Sequence, residues 1–239
     1  MRVPVLCYHR VETPPPGLEL DTNFVTPATF AAHVAALAAF GFVGVTIGDI
    51  AAWQRGERTL PARPVAITFD DAYLSVLEHA LPLLDARRWR ATIFVVTSQI
   101  GGTNAWDTGA PAAALMNAVT LQTLAARGHE IGSHSATHRR IRGLADIDAR
   151  AELAASRAVL SSRIGAPVES FAFPYGSHDR QSLAQVRDAG YRAACTLKRW
   201  ANGRATNPLR LGRMSVGGAL PAWQLGLKLA KLVVTPSRG

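Results

Sequence analysis

Short β-branched or aromatic runs alternate with Ala/Leu-rich runs along the whole of this 239-residue chain. A strand followed by a helix cannot turn straight back on itself as a hairpin, so it crosses over, and repeated crossovers build a parallel sheet covered by helices. The fold class is therefore α/β. The runs that read as strands are Val3 to His9, Phe42 to Ile47, Val65 to Phe69, Ala91 to Val96, Glu130 to His134, Ser170 to Phe173, Arg192 to Thr196 and a weaker one from Leu209 to Met214. Seven or eight such strands suit a closed or nearly closed (β/α) barrel, with an open doubly wound sheet as the alternative. Gly and Pro fall singly between apolar runs and form no linker tract, so residues 1–239 read as one domain.

The helices carry their own punctuation. Thr26 is a good N-cap with Pro27 at the first helical position, and Gly41 closes a stretch whose apolar face holds Phe30, Val34, Leu37 and Phe40. Thr120 opens a short helix ended by Gly128, Asp146 to Ile164 is a long one stopped by Gly165, and Ser182 to Gly190 is another. Glu12 to Asn23 and Ile100 to Val119 read as long surface loops, a length often used for lids and binding edges.

Three motifs sit at strand ends, where barrel enzymes keep their reactive groups. Val65 to Phe69 runs into Asp70-Asp71, two adjacent carboxylates leaving the core together. They could cap a following helix, or one could hold a metal while the other stays free as a base. The next motif is His134-Ser135-Ala136-Thr137-His138, whose spacing of one helical turn lets both imidazoles reach one ion from the same side. With one carboxylate this makes a three-ligand site that leaves room for water and substrate. Non-haem iron oxygenases use the same ligand types, but they place an acid two residues after a His, and none of the seven histidines has one. In the third motif, Phe171 to Gly176, a Pro-Gly turn fixes the backbone so that the Tyr175 amide can face an oxyanion and its ring can wall a groove.

In order, Thr68-Phe69-Asp70-Asp71, His134 to His138 and Phe173-Pro174-Tyr175-Gly176 resemble the polysaccharide deacetylases with a NodB homology domain, carbohydrate esterase family four. The resemblance implies a distorted barrel that hydrolyses an N-acyl group from a sugar with a divalent metal. Asp71, His134 and His138 would be its ligands, Asp70 the base, and Pro174, Tyr175 and Trp106 groove residues. Zinc is the first expectation for the metal, with cobalt, nickel or iron as alternatives. Two family features are absent: no histidine lies in Arg192 to Gly239, where the general acid is usually found, and Ala172 replaces the Arg before the Pro-Tyr turn. The opening Tyr8-His9-Arg10-Val11 is similar to the poly-N-acetylglucosamine deacetylase branch and makes His9 the expected acid, with His178 and Asp179 as the alternative source. Arg213 is expected to replace the missing Arg, or to contact substrate.

Lys and Arg outnumber Asp and Glu by 26 to 17, a net charge of +9. No basic run is interleaved with stacking aromatics, so nucleic acid is not an expected partner; the partner the resemblance implies is an N-acylated sugar or glycan. Cys7 and Cys195 lie in apolar runs without CxxC spacing and read as small hydrophobes. His9 and Arg10 fall where a signal peptide would need its apolar centre, so a cytoplasmic location is expected, and with it a nucleotide- or lipid-linked sugar. Leu220 to Val234, with Lys228 and Lys231, reads as a helix able to touch an anionic membrane surface. The competing functional readings are a deformylase or amidohydrolase acting on a lipid-linked or non-sugar amide, and a glycan-binding protein with a decayed site.

Overall fold

The computed structural model describes residues 1–18, 21 and 23–234; residues 19, 20 and 22 of the Glu12 to Asn23 loop, and 235–239, lie outside the described residues. Ten strands are seen among the described residues: β1 (Val5–Tyr8), β2 (Arg10–Val11), β3 (Phe24–Val25), β4 (Val43–Val45), β5 (Pro64–Phe69), β6 (Thr92–Val95), β7 (Glu130–Ser133), β8 (Ser170–Ala172), β9 (Ala193–Cys195) and β10 (Met214–Ser215). The main sheet runs in the order β10-β1-β5-β6-β7-β8-β9, and its paired strands are parallel. β5 is buried along its length, as a strand covered on both faces must be.

Two irregularities turn this sheet into a distorted barrel. β4 pairs with the first half of β5 (Val45 opposite Ala66), while β6 pairs with its last residues (Thr68 opposite Thr92) on the same edge, so β5 and β6 splay apart at their bases. At the other end, Leu211 bridges Cys195 of β9 and the following Met214–Ser215 pairs with Leu6–Cys7 of β1. One short segment thus spans the gap between the sheet's two edges, and the open doubly wound alternative does not apply. In the barrel wall, Gly132 lies so close to Phe94 that a Cβ there would approach its ring to 2.6 Å.

The helices are α1 (Pro27–Ala39), α2 (Ile47–Gln54), α3 (Leu74–His79), α4 (Leu81–Asp85), α5 (Ala118–Ala126), α6 (Asp146–Ile164), α7 (Arg180–Asp188) and α8 (Ala222–Val234). The Thr26 side chain accepts from the Thr29 amide, with Pro27 at the first position. Phe30, Val34 and Leu37 are buried on α1, but Phe40 is not part of that face: it is the C-terminal cap and is exposed. α5 starts earlier than the sequence suggests, because Asn117 rather than Thr120 is the cap and accepts from the Thr120 amide. α6 has the expected bounds and ends at Gly165 with φ 70°. α8 lies against α1, burying Leu225 and Leu229 and leaving Trp223 and Leu227 exposed. Among the described residues no helix is long and apolar enough to cross a membrane.

A two-stranded parallel ribbon, β2 with β3, was not expected inside the N-terminal segment. Its strands are two residues long, too short for a periodic signal. Its register is braced by the Arg10 guanidinium, which lies over Phe24 and Tyr73 and pairs with Glu12 at 2.6 Å. Cys7 and Cys195 are buried free thiols.

Candidate active site

The C-terminal ends of β1, β5 and β7 and the turn after β8 converge on a cavity of about 300 Å³, lined among others by His9, Asp70, Asp71, Trp106, His134, His138 and Tyr175. Among the described residues six non-glycine residues have positive φ, and five of them, Asp71, Ala72, Ser135, His138 and Tyr175, are at or beside this cavity. Such backbone persists only where its surroundings over-determine it, and it commonly marks function.

Asp70 and Asp71 do not cap a helix. α3 begins beyond them at Leu74, with Tyr73 as its cap. The left-handed turn at Asp71 and Ala72 sends the two carboxylates to different partners. Both oxygens of Asp70 are held by Arg213, at 2.6 Å (Nη1 to Oδ1) and 2.8 Å (Nη2 to Oδ2). Burial alone would raise the Asp70 pKa, but the Arg213 guanidinium overrides it and holds the carboxyl well below the usual carboxylate range. Asp71 has no such cation. Burial first, then the charges of Asp70 and Asp107, push its pKa well above the ordinary value.

The histidine pair is presented by a tight irregular turn and not by a helical one, since Ser135 and His138 are left-handed and residues 134–138 form no helix. The turn is built around Glu152 of α6, which is buried and accepts from the amides of Ala136 and Thr137, both at 2.9 Å, and from the Thr137 hydroxyl. Ser135 Oγ accepts from the His138 amide. Sequence reasoning missed Glu152; the available signal was an acid on the α6 face that also carries Ala149, Leu153, Ser156 and Leu160. Glu152→Leu would remove the acceptor of two backbone amides and a hydroxyl at once. It is expected to weaken metal binding about 10- to 100-fold, the usual cost of losing an outer-shell support. Glu152→Gln, which keeps one oxygen for both amides, is expected to stay near wild type; titration with a chromophoric chelator reads the difference.

His134 donates Nδ1–H to the Ala172 carbonyl at 2.8 Å, leaving the Nε2 lone pair facing Asp71. Burial brings the pKa of His134 down to about 4, and that of His138 to about 2, so both rings are neutral. Their Nε2 atoms lie 3.7 and 3.4 Å from Asp71 Oδ1, a buried atom without a hydrogen-bond partner. Ligand atoms around a tetrahedral ion at about 2.1 Å sit roughly 3.4 Å apart. The donor set, its spacing and its uncompensated charge all fit a divalent cation. A second group, Cys7, His9 and Asp70, also has its ligand atoms within 4.8 Å of one another. It fits a cation poorly, because Arg213 already occupies Asp70 and burial pushes the Cys7 thiol pKa up.

The chain matches the polysaccharide deacetylase family over residues 57–194, more than half its length. It belongs to the polysaccharide deacetylase family. These enzymes act on N-acetyl amide bonds. Bacillus subtilis YxkH, itself grouped with the polysaccharide deacetylases, is 23% identical over 225 residues, covering 94% of this chain and 75% of the relative. Two solved structures share the fold: Streptococcus pyogenes deacetylase PplD in complex with acetate (TM-score 0.82, 17% identity, 98% of this chain and 99% of that one) and IcaB from Ammonifex degensii (TM-score 0.82, 24% identity, 98% and 97%).

Of the other residues expected in this polysaccharide deacetylase site, the structure gathers some and moves others away. His9 lines the cavity with Nε2 4.0 Å from Asp70 Oδ2. Trp106 and Tyr175 flank His138, with ring centroids at 4.9 and 4.8 Å. Arg213 does not line the cavity: it is fully buried behind Asp70, entering from just before β10, and it also bonds Thr68 Oγ1 and the Thr196 carbonyl. Pro174 is buried in the turn that projects Tyr175 and is not part of the cavity wall. His178 donates Nδ1–H to the Gly176 carbonyl and packs on Phe173, while Asp179 caps α7; neither lines the cavity, so this pair is not placed to supply the acid. His33 and His129 are tied up in internal hydrogen bonds and do not line the cavity.

Proposed function

We propose that this enzyme, acting as a single domain, removes the acetyl group of an N-acetylated amino sugar in a glycan by metal-supported hydrolysis. The observation that carries the reading is the division of labour between two adjacent aspartates, one neutralised by a buried arginine and one left to a pair of neutral imidazoles. Asp71, His134 and His138 would hold the ion. When bound, it supplies a Lewis acid that polarises the amide carbonyl and acidifies water.

The protein groups do the rest. Asp70, kept ionised by Arg213, takes the proton of the attacking water through Oδ2, the oxygen nearer His134 and His9. Water oxygen adds to the carbonyl carbon, and the Tyr175 N–H is assigned to the resulting oxyanion. The C–N bond then breaks as His9 delivers a proton to the leaving amine, giving acetate and a free amino sugar. Trp106 and Tyr175 offer ring faces to the sugar on either side of His138.

Elemental analysis combined with acetate release from N-acetylated oligosaccharides tests this. Wild type is expected to carry about one metal equivalent and to release acetate. His9→Gln is expected to keep the metal and lose kcat by about 10²- to 10⁴-fold, the usual worth of a positioned acid. A metal-free wild type, or an active His9→Gln, would overturn it.

A further inference from the structure

Immediately outside the cavity, and sharing Trp106, His138 and Tyr175 with it, runs a second open groove whose charged lining is Arg139, Arg140 and Arg142. The two spaces have opposite character. The inner one holds Asp70, Asp71 and Asp107, whereas no carboxylate lines the outer one.

The three arginines are not equivalent. Arg139 and Arg142 reach Asp148 and Asp179 at 3.8 and 3.7 Å, long contacts between exposed groups that cost little to give up. Arg140 forms no ion pair among those of the described residues; its guanidinium lies 4.0 Å over the Tyr175 ring. That stacking fixes the plane of the guanidinium and leaves its N–H edge for a planar or tetrahedral anion. The Tyr175 ring is in turn 4.8 Å from that of the metal-ligand candidate His138, so only one ring separates Arg140 from the metal-ligand candidates.

We propose that this groove binds an anionic group, a phosphate ester or a uronate carboxylate, carried by the glycan on the unit next to the sugar being deacetylated. Arg140 is its specificity-determining residue, and Arg139 and Arg142 add to the local potential. The inference rests on the deacetylase reading and narrows its substrate class.

Three N-acetyl disaccharides test it: one neutral, one bearing a phosphate monoester on the neighbouring sugar, one with a uronate there. For each, kcat/KM is measured alongside binding by calorimetry. Wild type is expected to prefer an anionic form over the neutral one by about tenfold or more, mainly through KM, and to lose that preference as salt rises. Phosphate in front names a phosphorylated glycan, the carboxylate in front a uronate-containing one. Arg140→Gln is expected to bring the anionic-to-neutral ratio close to one, and Arg140→Lys to restore part of it. Acetate release from the neutral disaccharide with no anion preference removes this site and leaves the deacetylase reading standing. Preferential binding of an anionic form without acetate release from any of the three does the reverse.

Discussion

Asp71→Asn is expected to leave the purified protein without metal and without measurable acetate release, yet no less stable than metal-free wild type. The loss of metal should exceed the 10- to 100-fold weakening typical of outer-shell changes, because the substitution removes the only carboxylate among the three ligand candidates. The stability result follows from the same geometry. Asp71 Oδ1 is buried without a hydrogen-bond partner beside a second carboxylate, so in the absence of a cation the folded state bears the cost of an uncompensated group. Asparagine removes that cost. Thermal denaturation with and without chelator reads both halves: wild type should lose stability on chelation and Asp71→Asn should not respond. Retention of equimolar metal by the variant would remove Asp71 from the ligand set.

Arg213→Leu is expected to destabilise the protein by about 3–5 kcal/mol, the range seen when one member of a buried ion pair is deleted. Its partner Asp70 is 2% exposed and would be left charged, or forced to protonate, next to Asp71. Acetate release should collapse as well, since a protonated Asp70 cannot accept a proton. The double variant Asp70→Asn/Arg213→Leu should recover much of the lost stability while remaining inactive, and denaturant titration of the four-protein cycle gives the coupling directly. If Arg213→Leu does not fold, folding of the double variant alone establishes the same point. Equal destabilisation by the single and double variants would show that Arg213 acts through packing alone.

The parallel α/β architecture was legible because the central strands β1, β5 and β6 are mostly apolar runs separated by helical ones, and a buried parallel strand requires that pattern. The strand-end motifs were legible for a related reason: Asp70, Asp71, His134 and His138 are polar groups placed where an apolar run stops, an arrangement the core alone would not produce. What escaped was tertiary in origin. Glu152 touches the histidine turn from a helix that begins after it, and nothing local to either segment announces the contact. Arg213 was expected near the site, but its direction could not be read, because only the sideways pairing of the Leu211–Ser215 segment with both β9 and β1 turns it inward beneath Asp70. The helical-turn reading of the His134–His138 spacing failed because spacing fixes separation along the chain and leaves φ undetermined; here two left-handed residues bring the rings together.

The Asp70–Arg213 pair also imposes an order on the birth of the enzyme. The metal-ligand candidates are all present once the ribosome has passed His138, and the carbonyl that orients His134 once it has passed Ala172. The guanidinium that holds Asp70 ionised arrives 143 positions after it, immediately before β10, the last strand among the described residues. On the proposed mechanism, a nascent chain has its three ligand candidates well before it has the cation that keeps Asp70 ionised, and hydrolysis would wait on the stitch that joins the barrel's two edges.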